Sequence, residues 1–144
     1  MKNIKKTILH ATCLTALIAC LLTAFTSCAT TQVTVEPDAT YMEIIQKAQT
    51  AYDNGKTKQS IQYYTILIQR YGMNPAVYVE GTYEIAHIYL KQKKYDLARP
   101  MYNELKAIFD QTAPGQLPGA YKKMFMHDYE KLAEHDKKHA PKNK

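Results

Sequence analysis

The segment "AQTAYDNGKTKQSIQYYTIL", beginning at Ala48, can be laid on "AHIYLKQKKYDLARPMYNEL", beginning at Ala86, without a gap. The offset of 38 residues pairs Ala48 with Ala86, Ser60 with Ala98, Tyr64 with Tyr102 and Leu67 with Leu105. Self-similarity at a fixed spacing constrains a fold strongly, because one supersecondary unit must be built twice and stacked on its own copy. The paired residues indicate how the units meet. Small side chains at Ala48, Ser60, Ala86 and Ala98 let backbones approach, and the rings of Tyr64 and Tyr102 fill the space beside them.

The unit reads as a helical hairpin. Tyr41, Ile44, Ile45, Ala48, Ala51 and Tyr52 recur at three-four spacing until Asn54-Gly55 supplies a stop. Ile61, Tyr64, Leu67, Ile68 and Tyr71 continue that period to Gly72. Asn74-Pro75 is an N-cap followed by proline in the first turn, where proline is tolerated. The third helix carries Tyr83, Ile85, Ala86, Tyr89 and Leu90 and closes on the cations of "KQKK". Asp96 is the expected cap of a fourth, with Leu97, Ala98, Met101, Tyr102, Leu105, Ile108 and Phe109 on its stripe and Pro100 in its first turn. After the loop "QTAPGQLPG", a fifth helix carries Tyr121, Met124, Phe125, Tyr129, Leu132 and Ala133. At the front, Thr40 and Glu43 in "TYME" have capping-box spacing. No segment alternates as a strand. The expected fold class is all-α: two helical hairpin units plus a C-terminal capping helix, over residues 41–137.

This pattern resembles the tetratricopeptide repeat, a helix-turn-helix unit of about 34 residues, with the extra length placed near "GMNPAV". The resemblance covers residues 41–110, and an ordinary helical bundle would share its apolar stripes though not its gapless offset. It departs from the family at Ile44 and Thr82, where an aromatic is usual, and at Lys47, where a large apolar residue is usual. The turn glycine Gly55 is Lys93 in the second copy, and Gly72 stands where a proline often closes the repeat. What the resemblance implies is binding, on a concave face lined by the first helix of each hairpin. The implied partner-binding positions are Ile45, Gln49, Tyr52 and Asp53 in the first unit, with Tyr83, His87, Leu90 and Lys91 in the second. Tyrosine suits such a face because its ring can be buried while its hydroxyl stays hydrogen-bonded. With 12 tyrosines in the chain, each is equally readable as an ordinary half-buried residue.

The N-terminal region reads differently. "MKNIKK" is followed by 21 residues, Thr7 to Ser27, without a formal charge, the layout of a secretory signal peptide. That run is long enough to span a bilayer, but His10 and five threonines dilute it. All three cysteines, Cys13, Cys20 and Cys28, lie here. "FTSC" resembles the lipobox of bacterial lipoproteins, whose cysteine is acylated and becomes the new N-terminus. Phe25 stands where Leu, Val or Ile is usual, as in the looser boxes of spirochaetes and some other bacteria. "LIAC", ending at Cys20, fits by letter but would leave "LLTAF" exposed after cleavage. Cleavage at Ala29, giving a soluble exported protein, is a further reading. The resemblance thus implies a signal peptide over 1–27, lipidation of Cys28, and a polar tether over 28–40. It implies a bacterial cell envelope location, lipid-anchored to a membrane and facing the periplasm. Ala29 in place of Asp would, in enteric bacteria, imply the outer membrane. As an extended linker, residues 29–40 would reach about 40 Å.

A chain released at Cys28 holds no other thiol, so disulfides, thiolate metal sites and cysteine nucleophiles are excluded. Its fold must rest on apolar burial. Of the 19 basic residues three lie in the first six positions, which leaves a surplus of three over 13 acids. Much of that surplus sits in the basic tail over 138–144, so no nucleic-acid partner is expected. "APGQLPGAYKK" lacks the ending of a phosphate loop. His135 and His139 have a spacing that can hold a metal on one helix face, although a solvated tail is the expectation there. No carboxylate is set beside His87 by the local sequence. The chain is therefore expected to be no enzyme, with no cofactor and no metal, and to act as a scaffold or adaptor for a cell-envelope protein or peptide segment. Two readings remain beside it: small-molecule capture between Tyr52, Tyr83 and His87, as in a lipoprotein serving a transporter, and an enzyme on cell-wall material, needing two facing carboxylates. Two units and one helix are near the minimum for a stack, which favours covering of its ends by a partner or a second copy.

Overall fold

The computed structural model describes residues 32–140; the signal segment, Cys28 and the last four residues lie outside them. The described residues form five helices and no strand: α1 (Tyr41–Asp53), α2 (Thr57–Tyr71), α3 (Pro75–Lys91), α4 (Tyr95–Gln111) and α5 (Gly119–His139). Each of the first four packs on its neighbour in sequence, and α5 lies against α3 and α4. The fold is all-α and repeat-like, two helical hairpins followed by a fifth helix.

Local chemistry sets the boundaries. Thr40 and Glu43 form the expected capping box: the Glu43 amide donates to Thr40 Oγ1 at 3.3 Å and the Thr40 amide to Glu43 Oε2 at 2.7 Å. Asn74 Oδ1 accepts from the Ala76 amide at 3.0 Å, with Pro75 opening α3. Asp96 does not cap α4. The N-cap is Lys94, two residues earlier, the helix begins at Tyr95, and Asp96 sits in its first turn, where its charge favours the helix dipole. Helix α5 runs two residues past the expected 137.

The repeat is visible in the hairpin turns, bond for bond. In the first, the amides of Asn54, Gly55 and Lys56 donate to the carbonyls of Thr50, Tyr52 and Ala51. In the second, those of Gln92, Lys93 and Lys94 donate to Ile88, Leu90 and Tyr89, each 38 residues on. Both turns need a left-handed residue to end the helix, Gly55 at φ 73° and Lys93 at φ 59°. Glycine takes that conformation freely, whereas lysine holds it against its own Cβ.

Two apolar clusters hold the stack together. The first joins Ile44, Ile45, Ala48, Tyr64, Leu67, Val77, Ile85 and Ile88. The second joins Val79, Tyr83, Ala86, Ala98, Tyr102, Leu105, Phe109, Phe125 and Leu132. The paired small residues Ala48, Ser60, Ala86 and Ala98 are all fully buried, as close packing of the hairpins requires. Gly81 allows α3 to approach α2, since a Cβ there would meet Ile68 Cγ1 at 2.7 Å.

Part of the stretch read as a linker is bound to the hairpin. The Val33 amide donates to Gln62 Oε1 at 3.1 Å, and the Arg70 guanidinium to the carbonyls of Glu36 at 2.6 Å and Val35 at 3.1 Å. Tyr71 donates its hydroxyl to the Ala39 carbonyl at 2.6 Å, and Ala39 is 6% exposed within the first cluster. Residues 33–39 therefore form a strap along α2, which covers the first end of the stack. At the other end, α5 turns Lys123, His127, Lys131 and Glu134 outward, together with the exposed Met124 and Met126. Among the described residues, no helix is long and apolar enough to cross a membrane.

Candidate functional site

Helix α3 touches α2, α4 and α5, and most of its surface is buried. Glu80, Glu84, His87 and Lys91 follow one another at four-three-four spacing and form its polar stripe. What α5 brings to this stripe is a carboxylate. Asp128 lies between Phe125 and Leu132 on the inward side of α5 and is 2% exposed. Its Oδ2 accepts from the Tyr83 hydroxyl at 2.9 Å, the Tyr102 hydroxyl at 3.1 Å and His87 Nδ1 at 2.5 Å. Lys131 Nζ lies 3.7 Å from its other oxygen. Three helices thus converge on one buried charge.

The electrostatics follow from this geometry. Burial opposes ionisation of Asp128 and is the largest single influence, but the bonds from His87, Tyr83 and Tyr102 and the charge of His87 outweigh it, holding the carboxyl at about 2. Burial, with the charge of Asp128 added, pushes the Tyr83 and Tyr102 phenols far up, so both remain donors. Glu84 moves upward because it is desolvated, with Glu80 and Asp128 adding to the shift and His87 opposing it. Tyr121 of α5 donates to Glu80 Oε1 at 2.8 Å and packs edge-on against Tyr83, ring centroids 5.7 Å apart. Farther along α5, His135 stacks on Tyr95, while Asp136 takes two bonds from Arg99 at 3.0 and 2.6 Å.

The implied binding positions separate on this frame. Gln49, Tyr52 and Asp53 are exposed on α1, and Lys91 on α3; His87 and Leu90 are half-buried. Ile45 is 6% exposed and belongs to the first core, so it offers no contact surface. Tyr83 is 4% exposed, with its hydroxyl committed to Asp128. The structure joins Tyr83 and His87 through Asp128; no hydrogen bond among the described residues ties Tyr52 to them. His135 and His139 do share a helix, their rings stacked at 4.1 Å, but the described residues contain no group of three or more ligands suited to a metal. A cleft of 740 Å³ opens elsewhere, between the strap and the first hairpin, lined in part by Asp38, Gln46, Thr50, Asn54, Gln59 and Tyr63.

Sequence reasoning missed Asp128. The signal was present: an acid three residues after Phe125 and four before Leu132 stands on an apolar stripe, and an acid is rarely buried unless paired. An imidazole oriented at Nδ1 by a buried carboxylate is the pairing used by general bases. Among the described residues no hydroxyl nucleophile is bonded to its Nε2, so the pair as it stands orients a ring and locks α5 to α3.

Comparison with known proteins gives one informative likeness. The chain is 29% identical over 96 residues to an uncharacterized protein of Treponema pallidum (strain Nichols), a match that takes in 65% of this chain and 37% of that protein. The chain thus spans little more than a third of that relative's length. No family model matches, and no solved structure matches.

Proposed function

We propose that this chain is a membrane-tethered, non-catalytic adaptor of the bacterial cell envelope, tetratricopeptide-like in design, which holds a segment of another envelope protein against α1 and α3. One observation carries the reading. Gln49, Tyr52 and Asp53 on α1 and Lys91 on α3 are exposed, with Glu84 and His87 half-buried beside Lys91, although both clusters are complete without them. The bound strap sharpens the tethering. If Cys28 is the lipidated residue, Val33 is five steps along the chain from it, so the free reach is about 17 Å and not 40 Å. The domain would then work close to the membrane surface.

Photocrosslinking residues placed at Gln49, Tyr52 or Lys91 in living cells test this, with Lys106 as a control on the exposed side of α4. One envelope protein captured from the first three positions and not from the fourth is expected. The Cys28→Ala form should lose membrane association and, with it, capture. Equal capture at all four positions, or none, overturns the reading. The second reading, small-molecule binding, is favoured by the 740 Å³ cleft, a volume within the range of ligand sites. Its mark would be a ligand-dependent rise in melting temperature that Tyr63→Ala abolishes.

A further inference from the structure

We propose that the end of the stack formed by the two hairpin turns and the last turn of α5 faces the membrane, its exposed lysines meeting the headgroups of anionic phospholipids. This rests on the tethering reading above and adds how the tethered domain is oriented.

Three segments distant in sequence come together at that end. Gln92 Nε2 in the second hairpin turn donates to Thr57 Oγ1 at the start of α2 at 2.8 Å, which sets the two turns side by side. His135 stacks on Tyr95 at the start of α4, ring centroids 3.6 Å apart, and Arg99 donates to Asp136, so α5 ends beside the second turn. The first turn brings Lys56 and Lys58, the second Lys91, Lys93 and Lys94, and α5 brings Lys137 and Lys138, all of them exposed. The acids of this end are Asp53, Asp96, Glu134 and Asp136, and Arg99 alone pairs with two of them. With Arg99 counted, eight cations stand against four acids, whereas the rest of the described residues hold six cations and nine acids. The positive charge of the domain is thus gathered at one end, where its summed field attracts anions.

Local folding works against three of these lysines. Lys56 and Lys94 are the N-cap residues of α2 and α4, and neither side chain caps its helix. A cation at that position opposes the helix dipole. Lys93 holds a left-handed φ of 59° where the first copy has glycine. A residue kept in strained backbone, where glycine would sit at ease, points to a role outside the fold. Elsewhere Lys47, Lys106 and Lys131 each pair with a carboxylate, but among the described residues none of the seven lysines at this end does.

The path of the chain selects a membrane as the partner. The strap runs along α2 with Val33 at Gln62 and Ala39 at Tyr71, so Val33 is its end nearer the turns. Gln62 stands five residues after Thr57, the first residue of α2, or about 7.5 Å along the helix axis. With the lipid on Cys28, a reach of about 17 Å from Val33 can pass the turn end, which lets lipid and lysines meet one plane. With their turns toward the membrane, α1 and α3 stand up from it and keep their open face in water. The contact orients the domain and does not anchor it, since each exposed lysine adds little and is screened by salt.

The test is cosedimentation with vesicles of the chain from Ala29 onward, which lacks the lipid site but contains every described helix and both cores. One set of vesicles is phosphatidylcholine, the other an equal mixture of phosphatidylcholine and phosphatidylglycerol. Two triple variants share one net charge: Lys56→Gln/Lys58→Gln/Lys93→Gly at the turns and Lys106→Gln/Lys122→Gln/Lys123→Gln away from them. At low ionic strength the parent and the second variant are expected to bind the anionic vesicles with similar affinity, and the turn variant at least tenfold more weakly. High salt should release all three, and neutral vesicles should leave them in solution. Lys93→Gly relieves the strained lysine, so the turn variant should melt no lower than the parent, and its lost binding will not reflect unfolding. No binding of the parent to anionic vesicles overturns the inference. So does equal weakening by both triple substitutions, which would leave net charge as the cause. Tighter binding of polyglutamate than of the vesicles, at equal concentration of charge, overturns it as well and assigns this end to an acidic protein segment. None of these outcomes bears on the adaptor reading, which crosslinking from Gln49, Tyr52 and Lys91 decides.

Discussion

The two hairpins share a turn and differ in what they bury. Around α1 and α2 the core is mainly aliphatic, Ile44, Ile45, Leu67, Val77, Ile85 and Ile88, with Tyr64 its one aromatic member, and beside it Ser60 has a buried hydroxyl that finds no partner among the described residues. Around α3, α4 and α5 the core is aromatic, with Tyr83, Tyr102, Phe109 and Phe125 surrounding an ionised carboxylate. The same 38-residue pattern thus supports a dry interface in one copy and a hydrogen-bonded one in the other. The difference has a topological cause. The second hairpin must receive α5, which arrives through an irregular loop, and directional bonds at Asp128, Tyr121 and Asp136 fix its angle and register where apolar contact alone would allow sliding.

The largest expected effect is on that carboxylate. Asp128→Ala leaves the Tyr83 and Tyr102 hydroxyls and His87 without their acceptor, and should cost about 3–5 kcal/mol by urea denaturation. A cost below about 1 kcal/mol would mean that α5 is held by its apolar residues only, and the contrast between the cores would collapse.

Next in size is acid sensitivity. The folded Asp128 carboxyl titrates near about 2, below its ordinary 3.8. Its contribution, roughly 2 kcal/mol, is present above the ordinary value and lost as pH falls toward 2. Asp136, lowered chiefly by its bonds from Arg99, titrates in the same window. The Asp128 share is therefore the difference in acid slope between the parent and Asp128→Asn, whose stability should fall less steeply below pH 4. Parallel slopes would remove Asp128 from the account.

A smaller effect distinguishes the turns. Lys93→Gly should stabilise by about 1 kcal/mol, because it relieves a left-handed lysine, and Gly55→Lys should destabilise by about the same amount. The space around Gly55 is open, so backbone strain is the only term in play. Opposite signs in thermal melts would sharpen the equivalence of the two turns; like signs would break it.

The smallest effect concerns Ser60, the counterpart of Ala98. Ser60→Ala removes a buried, unpartnered hydroxyl and should raise stability by up to about 1 kcal/mol. A loss instead would show that the hydroxyl has a partner in solution, and would make the first core less dry than it looks.

How much was legible follows from the range of the forces involved. Helix starts at Thr40 and Asn74 could be read because a cap is satisfied within three residues of chain. The α4 start was displaced by two residues because Asp96 serves equally well as a cap or as a first-turn anion, and nothing local decides between them. Of the implied binding positions, Gln49, Tyr52, Asp53 and Lys91 fell on open surface, while Ile45 and Tyr83 went into the cores. On a two-layer helical stack the apolar stripe and the binding stripe adjoin, so a shift of one position exchanges contact for burial. Residues 33–39 read as a tether for a similar reason, since their bonds run to Gln62, Arg70 and Tyr71, some thirty residues away.

By itself the sequence determined the helices, the 38-residue repeat and the close-packing pairs, all of which depend on contacts within a hairpin or between copies at a fixed offset. Tertiary structure alone decided that Tyr83, His87, Tyr102 and Asp128 would share one buried charge, that Tyr121 would bond Glu80, and that the strap would lie along α2. These depend on the angle at which α5 and the N-terminal segment return to the stack. That angle is set by the sum of many weak contacts between distant residues, and no short stretch of chain contains it.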